Sequence, residues 1–355
     1  MLPATAITEL LAIRHPVLQA PMAGAATPQL AASVSAAGGL GGLGSAVLTA
    51  DEVREQAAAV RSATKAPFNL NFFCHAPIEP EAELAERARE RVAPLYAERG
   101  LGEPPEPHDD DPTRFDGARL EAVLEIRPAV VSFQFGLPDE TAVAAIRDSG
   151  IRVIATATTV AEAARLEELG ADAVIAQGAE AGGHRGSFLV AGDDGPVGTL
   201  ALVPQVVDAV AVPVVAAGGI ADGRGLAAAL ALGAGAAQIG TGFLACPEAG
   251  IHPAHLAAVL GTSADATTIT RAFSGRPARA VRNRVSEELA GKELLPFPLQ
   301  RSLTGPLADG ADPERVLAMW IGQAAPLVSE RPAAEVVETL VAEAERRLAE
   351  LSPRA

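Results

Sequence analysis

R-V-I-A-T-A-T-T-V-A-E-A-A-R-L-E-E-L-G-A-D-A-V-I-A-Q-G-A-E-A-G-G-H-R-G, residues 152–186, reads as strand, helix, strand and then a glycine-rich loop. Val, Ile and Thr mark the two strands, and the stretch between them carries Ala, Leu and Glu with apolar residues at helical spacing. Strand, helix and strand in that order are the unit of a parallel sheet. Beyond the second strand, Gly182, Gly183 and Gly186 frame a single histidine, His184. Glycine lets backbone approach a ligand closely because no Cβ intervenes. His184 is therefore the candidate for acid–base chemistry, against the plainer alternative of a loop histidine bonded to nearby backbone.

The same rhythm runs outward in both directions. Upstream lie V-L-Q-A-P (17–21), L-G-G-L-G-S (40–45), F-N-L-N-F-F (68–73) and V-V-S-F-Q-F (130–135). Downstream lie P-V-V-A-A-G-G (213–219) and A-A-Q-I-G-T-G (236–242). Helices are expected from Pro28, where proline in the first turn sacrifices no hydrogen bond, from Asp51, and over 78–99. Eight strand–helix units predict an α/β fold of the (β/α)8 TIM-barrel type.

Such barrels take about 250 residues, so the 355 here leave roughly a hundred for additions. These fall between Cys74 and Asp116 and after Gly242. In the first, G-E-P-P-E-P-H-D-D-D-P (102–112) reads as an acidic surface loop. The division expected is a barrel of residues 1–242 and 330–355, with 243–329 a smaller, mainly helical segment over the C-terminal mouth on the substrate side. An amphipathic helix from about Ala333 to Leu351 closes the chain.

Bulk properties narrow the function. A formal charge of −16 argues against nucleic acid or an anionic membrane as partner. The longest apolar run, 203–221, is interrupted by Gln205, Asp208 and Pro213, so no transmembrane helix is expected, and the N-terminus lacks the basic start of a signal peptide. Cys74 and Cys246 are far apart and without metal-type spacing. A cytoplasmic protein without a bound metal is expected.

In a barrel of this type ligands sit at the C-terminal strand ends, and phosphate often binds after strands seven and eight. Gly218, Gly219, Gly240 and Thr241 stand there, offering N–H groups and a hydroxyl to an anion, with the N-terminal dipole of the following helix in support. The alternative is that these glycines only make tight turns. Gln19, Asn71, Gln134 and Gln177 place amides at other strand ends, which suits the edge of a heteroaromatic ring, although each could satisfy a neighbouring backbone group instead.

His252 and His255 have metal-compatible spacing but no accompanying carboxylate or cysteine cluster, which favours a packing role. Cys74 and His75 would point to opposite sides of an extended chain, against a nucleophile–base pair. The arginines at 271, 276, 279, 282 and 284 read as a solvated or ion-paired set more readily than as an anion clamp.

Three stretches carry a family resemblance: Q-A-P-M (19–22), A-Q-G-A-E-A-G-G-H-R-G (176–186) and V-A-A-G-G-I-A-D-G-R-G-L-A-A-A-L-A-L-G-A (215–234) leading into Q-I-G-T (238–241). With weaker continuity to W-I-G-Q (320–323), the chain resembles the nitronate monooxygenases, FMN-dependent TIM-barrel enzymes once called 2-nitropropane dioxygenases. F-N-L-N-F-F-C-H (68–75) departs from the G-V-N pattern of better-studied members.

The resemblance implies FMN across the barrel mouth, with its phosphate near Gly218, Gly219, Gly240 and Thr241. It places Ala20, Pro21, Met22, Asn71, Gln177, Gly182, Gly183, Gln238 and Ile239 around the cofactor. It gives His184 the role of base toward a nitroalkane, or of positioning a nitronate, which dioxygen then helps convert to a carbonyl compound and nitrite. A homodimer is left open. The FMN- and NAD(P)H-dependent enoyl-acyl carrier protein reductases share the glycine motifs, but no recognisable separate dinucleotide site, such as G-x-G-x-x-G between strand and helix, is provided here. A flavin-binding protein without turnover is the other alternative, and it would not require a histidine in that loop.

Overall fold

Short runs of Val, Ile, Leu and Ala form β1 (Val17–Gln19), β2 (Gly41–Gly44), β3 (Phe68–Phe73), β4 (Val130–Gln134), β5 (Arg152–Ala157) and β6 (Ala173–Gln177). A two-residue strand β7 (Gly183–His184) follows, then β8 (Val214–Ala217) and β9 (Ala236–Ile239). These come from a computed structural model that describes residues 2–79, 81–108, 114–189, 196–309 and 315–351.

All of these strands except β7 pair in parallel, in the order β1-β9-β8-β6-β5-β4-β3-β2. A parallel bridge between Leu18 and Leu40 closes β1 onto β2, the Leu40 N–H donating to the Val17 carbonyl and the Gln19 N–H to that of Leu40, each at 2.9 Å. The result is a (β/α)8 barrel. Inside it, Leu18, Leu40, Val130, Ile154, Ile175 and Val215 form one apolar layer, and Ile7 and Leu11 of the N-terminal segment join it. The helices pack a second apolar layer on the outside of the strands.

Strand ends fall where the residue chemistry changes. Phe135 takes a left-handed φ of 70° just past β4, and Gly218 and Gly219, at φ 108° and 71°, stop β8. The expected runs 130–135 and 213–219 are therefore shorter as strands. In β2 the glycines admit the helix Pro28–Ala36 onto the sheet: a Cβ on Gly41 would lie 1.9 Å from the Ala31 carbonyl oxygen. Neither backbone segment can yield, so Gly41→Ala is expected to destabilise the barrel by about 3 kcal/mol or more. Urea unfolding checks it, and an unchanged midpoint would refute the contact.

The additions pack together. The helix Ala82–Glu98 buries Val92, Leu95 and Tyr96 against Phe273, Leu289, Leu295, Leu299 and Leu303. The Tyr96 hydroxyl donates to the Leu303 carbonyl at 2.7 Å. Of the acidic stretch 102–112, residues 109–112 lie outside the described residues. The rest is loop, but Pro104 and Pro107 are buried, and Arg89 donates to the Pro104 carbonyl.

Between 243 and 329 the helices Pro253–Gly261, Arg284–Glu288 and Leu299–Thr304 are joined by an unanticipated hairpin, β10 (Thr267–Thr270) and β11 (Ala278–Val281). β11 also pairs antiparallel with β7, setting Ala278 opposite His184 and Arg279 opposite Gly183. The histidine loop is thus stitched to these added elements, which together with the helix Ala82–Glu98 form a cap over the strand ends. The helix Ala333–Leu351 ends the described chain and packs its apolar face on the helices Gly223–Ala231 and Pro28–Ala36.

Candidate active site

A cavity of about 520 Å³ opens at the C-terminal ends of the strands, between the barrel and the cap. It gathers Ala20, Pro21, Met22, Asn71, Gln177, Gly182, Gly183, His184, Gly218, Gly219, Gln238, Gly240 and Thr241. Ile239 does not join them: period-two alternation turns its side chain outward, where it is 1 % exposed in the apolar layer beneath the helices. Gln19 is also withdrawn, its Oε1 accepting from the Gly42 N–H at 2.9 Å. For that amide the satisfied-backbone reading holds.

The three glycines of the histidine loop serve the loop itself. Gly183 takes φ 75°, a Cβ on Gly182 would lie 2.6 Å from the Gly322 nitrogen, and one on Gly186 would lie 2.6 Å from Thr156 Cγ2. Arg185 is buried and donates to the Gln177 and Gly178 carbonyls at 3.0 and 2.6 Å. One turn further, the fully buried Glu162 carboxylate accepts from the Thr158 N–H and hydroxyl, each at 2.7 Å, and from the Phe188 and Leu189 N–H groups at 2.7 and 3.1 Å. The loop is fixed along its length before any ligand enters.

His184 keeps part of its surface open to the cavity, and its Nε2 lies 2.8 Å from Ser274 Oγ in the cap. Phe297 and Trp320 stand 5.6 and 5.1 Å from its ring, and Phe73 and Phe135 6.3 and 6.0 Å, three of these edge-on. The Arg276 guanidinium sits over the face of Phe135, 3.8 Å from the centroid. Arg301 lines the cavity mouth. Burial first, and then the charges of Arg276 and Arg301, lower the imidazole from its ordinary 6.5 to about 3. The ring is neutral at any physiological pH.

Two other arginines of the 271–284 run have separate duties. Arg279 donates to the Ala179 carbonyl and to Thr267, and Arg284 pairs with Glu98 and Glu288. Only Arg276 of that run bears on the histidine, as a field rather than as a direct clamp.

At the opposite end of the cavity, a Cβ on Gly240 would meet only Ala20 Cβ and Met22 Sδ, at 3.5 and 3.8 Å, so its backbone faces open space. Thr241 Oγ1 accepts from the Gly322 N–H at 2.9 Å and retains its own proton to donate. The expected helix-dipole support is weaker than the sequence suggested. Asp222 already caps Gly223–Ala231 through the Arg224 and Gly225 N–H groups, and the helix after β9, Thr241–Leu244, is four residues long. Glu180 lies beside Gly219 but serves as a cap too, taking the Thr199 N–H and hydroxyl at the start of the helix Thr199–Ala209.

Amide groups line the middle. Asn71 donates to the Ser132 carbonyl and hydroxyl oxygens at 3.2 and 2.9 Å. Gln134 and Gln177 both donate to the His184 carbonyl, at 3.1 and 3.0 Å. The cavity therefore offers a small-residue end for an anion, an amide-lined middle for a planar polar ring, and an aromatic end holding a neutral imidazole near two cations.

Other sequence candidates find structural roles. His252 Nδ1 accepts from the Ala254 N–H, and His255 Nε2 lies 3.3 Å from the Trp320 carbonyl, although both rings reach the cavity wall. Burial pushes the Cys74 thiol far up, which leaves it no thiolate. The rings of Phe73, Phe135, Phe297 and Trp320, with Ser274 and Arg301, were not singled out in the sequence. Aromatic residues are only 3 % of this chain, and their concentration in F-N-L-N-F-F and S-F-Q-F was the available signal.

Residues 4–343 match the sequence model of a family described as nitronate monooxygenase. A nitronate monooxygenase of Pseudomonas aeruginosa is 45 % identical over 351 residues, 95 % of this chain and 98 % of that one. Among solved structures, nitroalkane oxidase from Streptomyces ansochromogenes is 40 % identical with a TM-score of 0.90, covering 98 % of this chain and all of its own. FabK from Thermotoga maritima is 32 % identical with a TM-score of 0.76, covering 99 % of both chains.

Proposed function

Because the chain belongs to the nitronate monooxygenase family and is a flavin-dependent oxidoreductase, we propose that it holds FMN and uses dioxygen to oxidise nitronate anions to a carbonyl compound and nitrite. The observation that carries this reading is the neutral His184 at the end of the cavity, set among apolar rings and near Arg276 and Arg301. An anion entering there meets positive potential and a hydrogen-bonding imidazole.

The fit to FMN rests on the cavity's shape and donors. About 520 Å³ is within the usual range for cofactor sites. Gly218, Gly219, Gly240 and Thr241 would take the phosphate, while Met22, Asn71, Gln177, Gly182 and Gln238 would border the ring. When bound, the flavin supplies the two-electron acceptor that dioxygen reoxidises. The barrel, 1–242 with 330–355, then carries the cofactor, and 243–329 closes the substrate side. The two free cysteines fit a reducing compartment such as the cytoplasm.

The depressed pKa favours positioning over proton abstraction as the role of His184. A base whose conjugate acid ionises near 3 is weak toward a neutral nitroalkane, whereas a nitronate has already lost its proton. A bound anion also pulls the imidazole pKa back up, so the histidine can donate or share a proton with it. This reading makes nitronate the preferred substrate and neutral nitroalkane the poorer one.

Anaerobic mixing with propionate 3-nitronate should bleach the flavin rapidly, and NADH should bleach it slowly. The opposite order would favour the enoyl reductase chemistry. The pH profile is a separate check. His184 stays neutral down to about 3, so kcat/KM for nitronate should show no acidic limb from this group between about pH 5 and 8. Between 3 and 6.5 the unfolded chain binds a proton that the folded one does not. Stability from this residue is thus full above about 6.5 and lost as pH falls toward 3.

A further inference from the structure

Two side chains from strands that are not neighbours meet on one atom. Gln134, the last residue of β4, and Gln177, the last of β6, each donate an Nε2 hydrogen to the His184 carbonyl oxygen, at 3.1 and 3.0 Å. β5 lies between those strands in the sheet, so the amides converge across the barrel mouth. Gln177 is fixed at its other end as well, its Oε1 accepting from the Gly186 N–H at 2.9 Å. Gln134 Oε1 accepts from no described residue, and the side chain lines the cavity. Its only described polar duty is the histidine's carbonyl.

We propose that Gln134 is a positioning residue, one that sets the direction of the His184 ring by holding its main-chain carbonyl. The geometry on the other side of the histidine makes this effective. From the cap, β11 pairs with β7 and Ser274 Oγ sits 2.8 Å from Nε2; from the barrel, the two glutamine amides hold His184 itself, while Arg185 and Glu162 hold the residues after it. A backbone held on both sides leaves the imidazole little freedom, and loss of one amide releases the barrel side only in part. Gln177 would keep the loop folded while the ring direction relaxes. Displacement of a catalytic group by about 1 Å can cost 10²-fold in rate.

The proposal rests on the reading of His184 as the residue that meets the substrate, so the test includes His184→Asn alongside Gln134→Leu and Gln134→Glu. With propionate 3-nitronate, Gln134→Leu is expected to lower kcat by about 10- to 100-fold, with KM changed less than about threefold and flavin content full. Gln134→Glu adds a signature that a merely structural role would not give. Only its protonated carboxyl can donate to the carbonyl, so its kcat should fall as pH rises, while the parent enzyme does not change over the same range. Arg276 and Arg301, which act on His184, and Arg185, beside the clamp, favour the ionised carboxylate, and burial opposes it.

Parental kcat in both Gln134 variants, with His184→Asn slow, would overturn the positioning role alone. Flavin loss in proportion to lost activity would also overturn it, since the glutamine would then be holding cofactor. Parental activity in His184→Asn would overturn both this proposal and the reading beneath it.

Discussion

His184→Asn is expected to lower turnover of preformed nitronate by about 10- to 100-fold, the worth of a hydrogen bond to a charged group in a dry site. Any turnover of neutral nitroalkane should fall somewhat further, but by less than the roughly 10²- to 10⁴-fold of a base tuned near neutral pH, since an imidazole that ionises near 3 is a weak one. Asparagine retains polarity near the cap serine but cannot accept a carbon-bound proton. Flavin content should be unchanged, because the glycines proposed for the phosphate lie on other strands. Steady-state oxygen uptake with the two substrates measures the difference. Equal losses would leave positioning as the histidine's whole role, and parental rates on both substrates with full flavin would make it structural.

The second large effect lies away from the cavity. Glu162→Leu is expected to destabilise the protein by about 3–5 kcal/mol, because the buried Thr158 N–H and hydroxyl and the part-buried Phe188 and Leu189 N–H groups lose their acceptor together. The groups belong to Thr158, Phe188 and Leu189, so the carboxylate ties the end of β5 to the stretch that follows His184. Glu162→Gln keeps one acceptor oxygen and should lose about half as much. Denaturant midpoints of both variants check the ordering. Folded Glu162→Gln should also turn over nitronate more slowly than the parent, and full activity with parental stability would show that the bridge is dispensable.

The barrel was legible because its signal is local. Each β-branched run followed by an Ala- and Glu-rich helix states the same unit, and glycines at 218, 219 and 240 mark strand ends by the conformation or space they need. The glycines and amides at the strand ends followed from that frame, and the residues that the family resemblance added also line the cavity, except Ile239, whose side chain the alternation along β9 turns outward.

The substrate side was not legible in the same way. The proposed substrate side draws on the cap, where the hairpin strand in P-A-R-A-V-R (277–282) alternates like a strand but its arginines dominate the pattern. The pKa of His184 was out of reach too, because it depends on burial and on Arg276 and Arg301, remote in sequence. Glu162 sits where a Thr-x-x-Glu capping pair would be read. Its carboxylate instead reaches one residue beyond the cap and across to the histidine loop.

Trp320 is the chain's single tryptophan, and its ring lies 5.1 Å from that of His184. The lone tyrosine, Tyr96, is buried elsewhere in the cap with its hydroxyl bonded to a carbonyl. Indole emission from this protein thus originates at one point, beside the proposed reaction centre. A chromophore arriving in the cavity will quench that light, and a closing or loosening cap will shift its colour, so the native chain is its own optical probe of occupancy and needs no label.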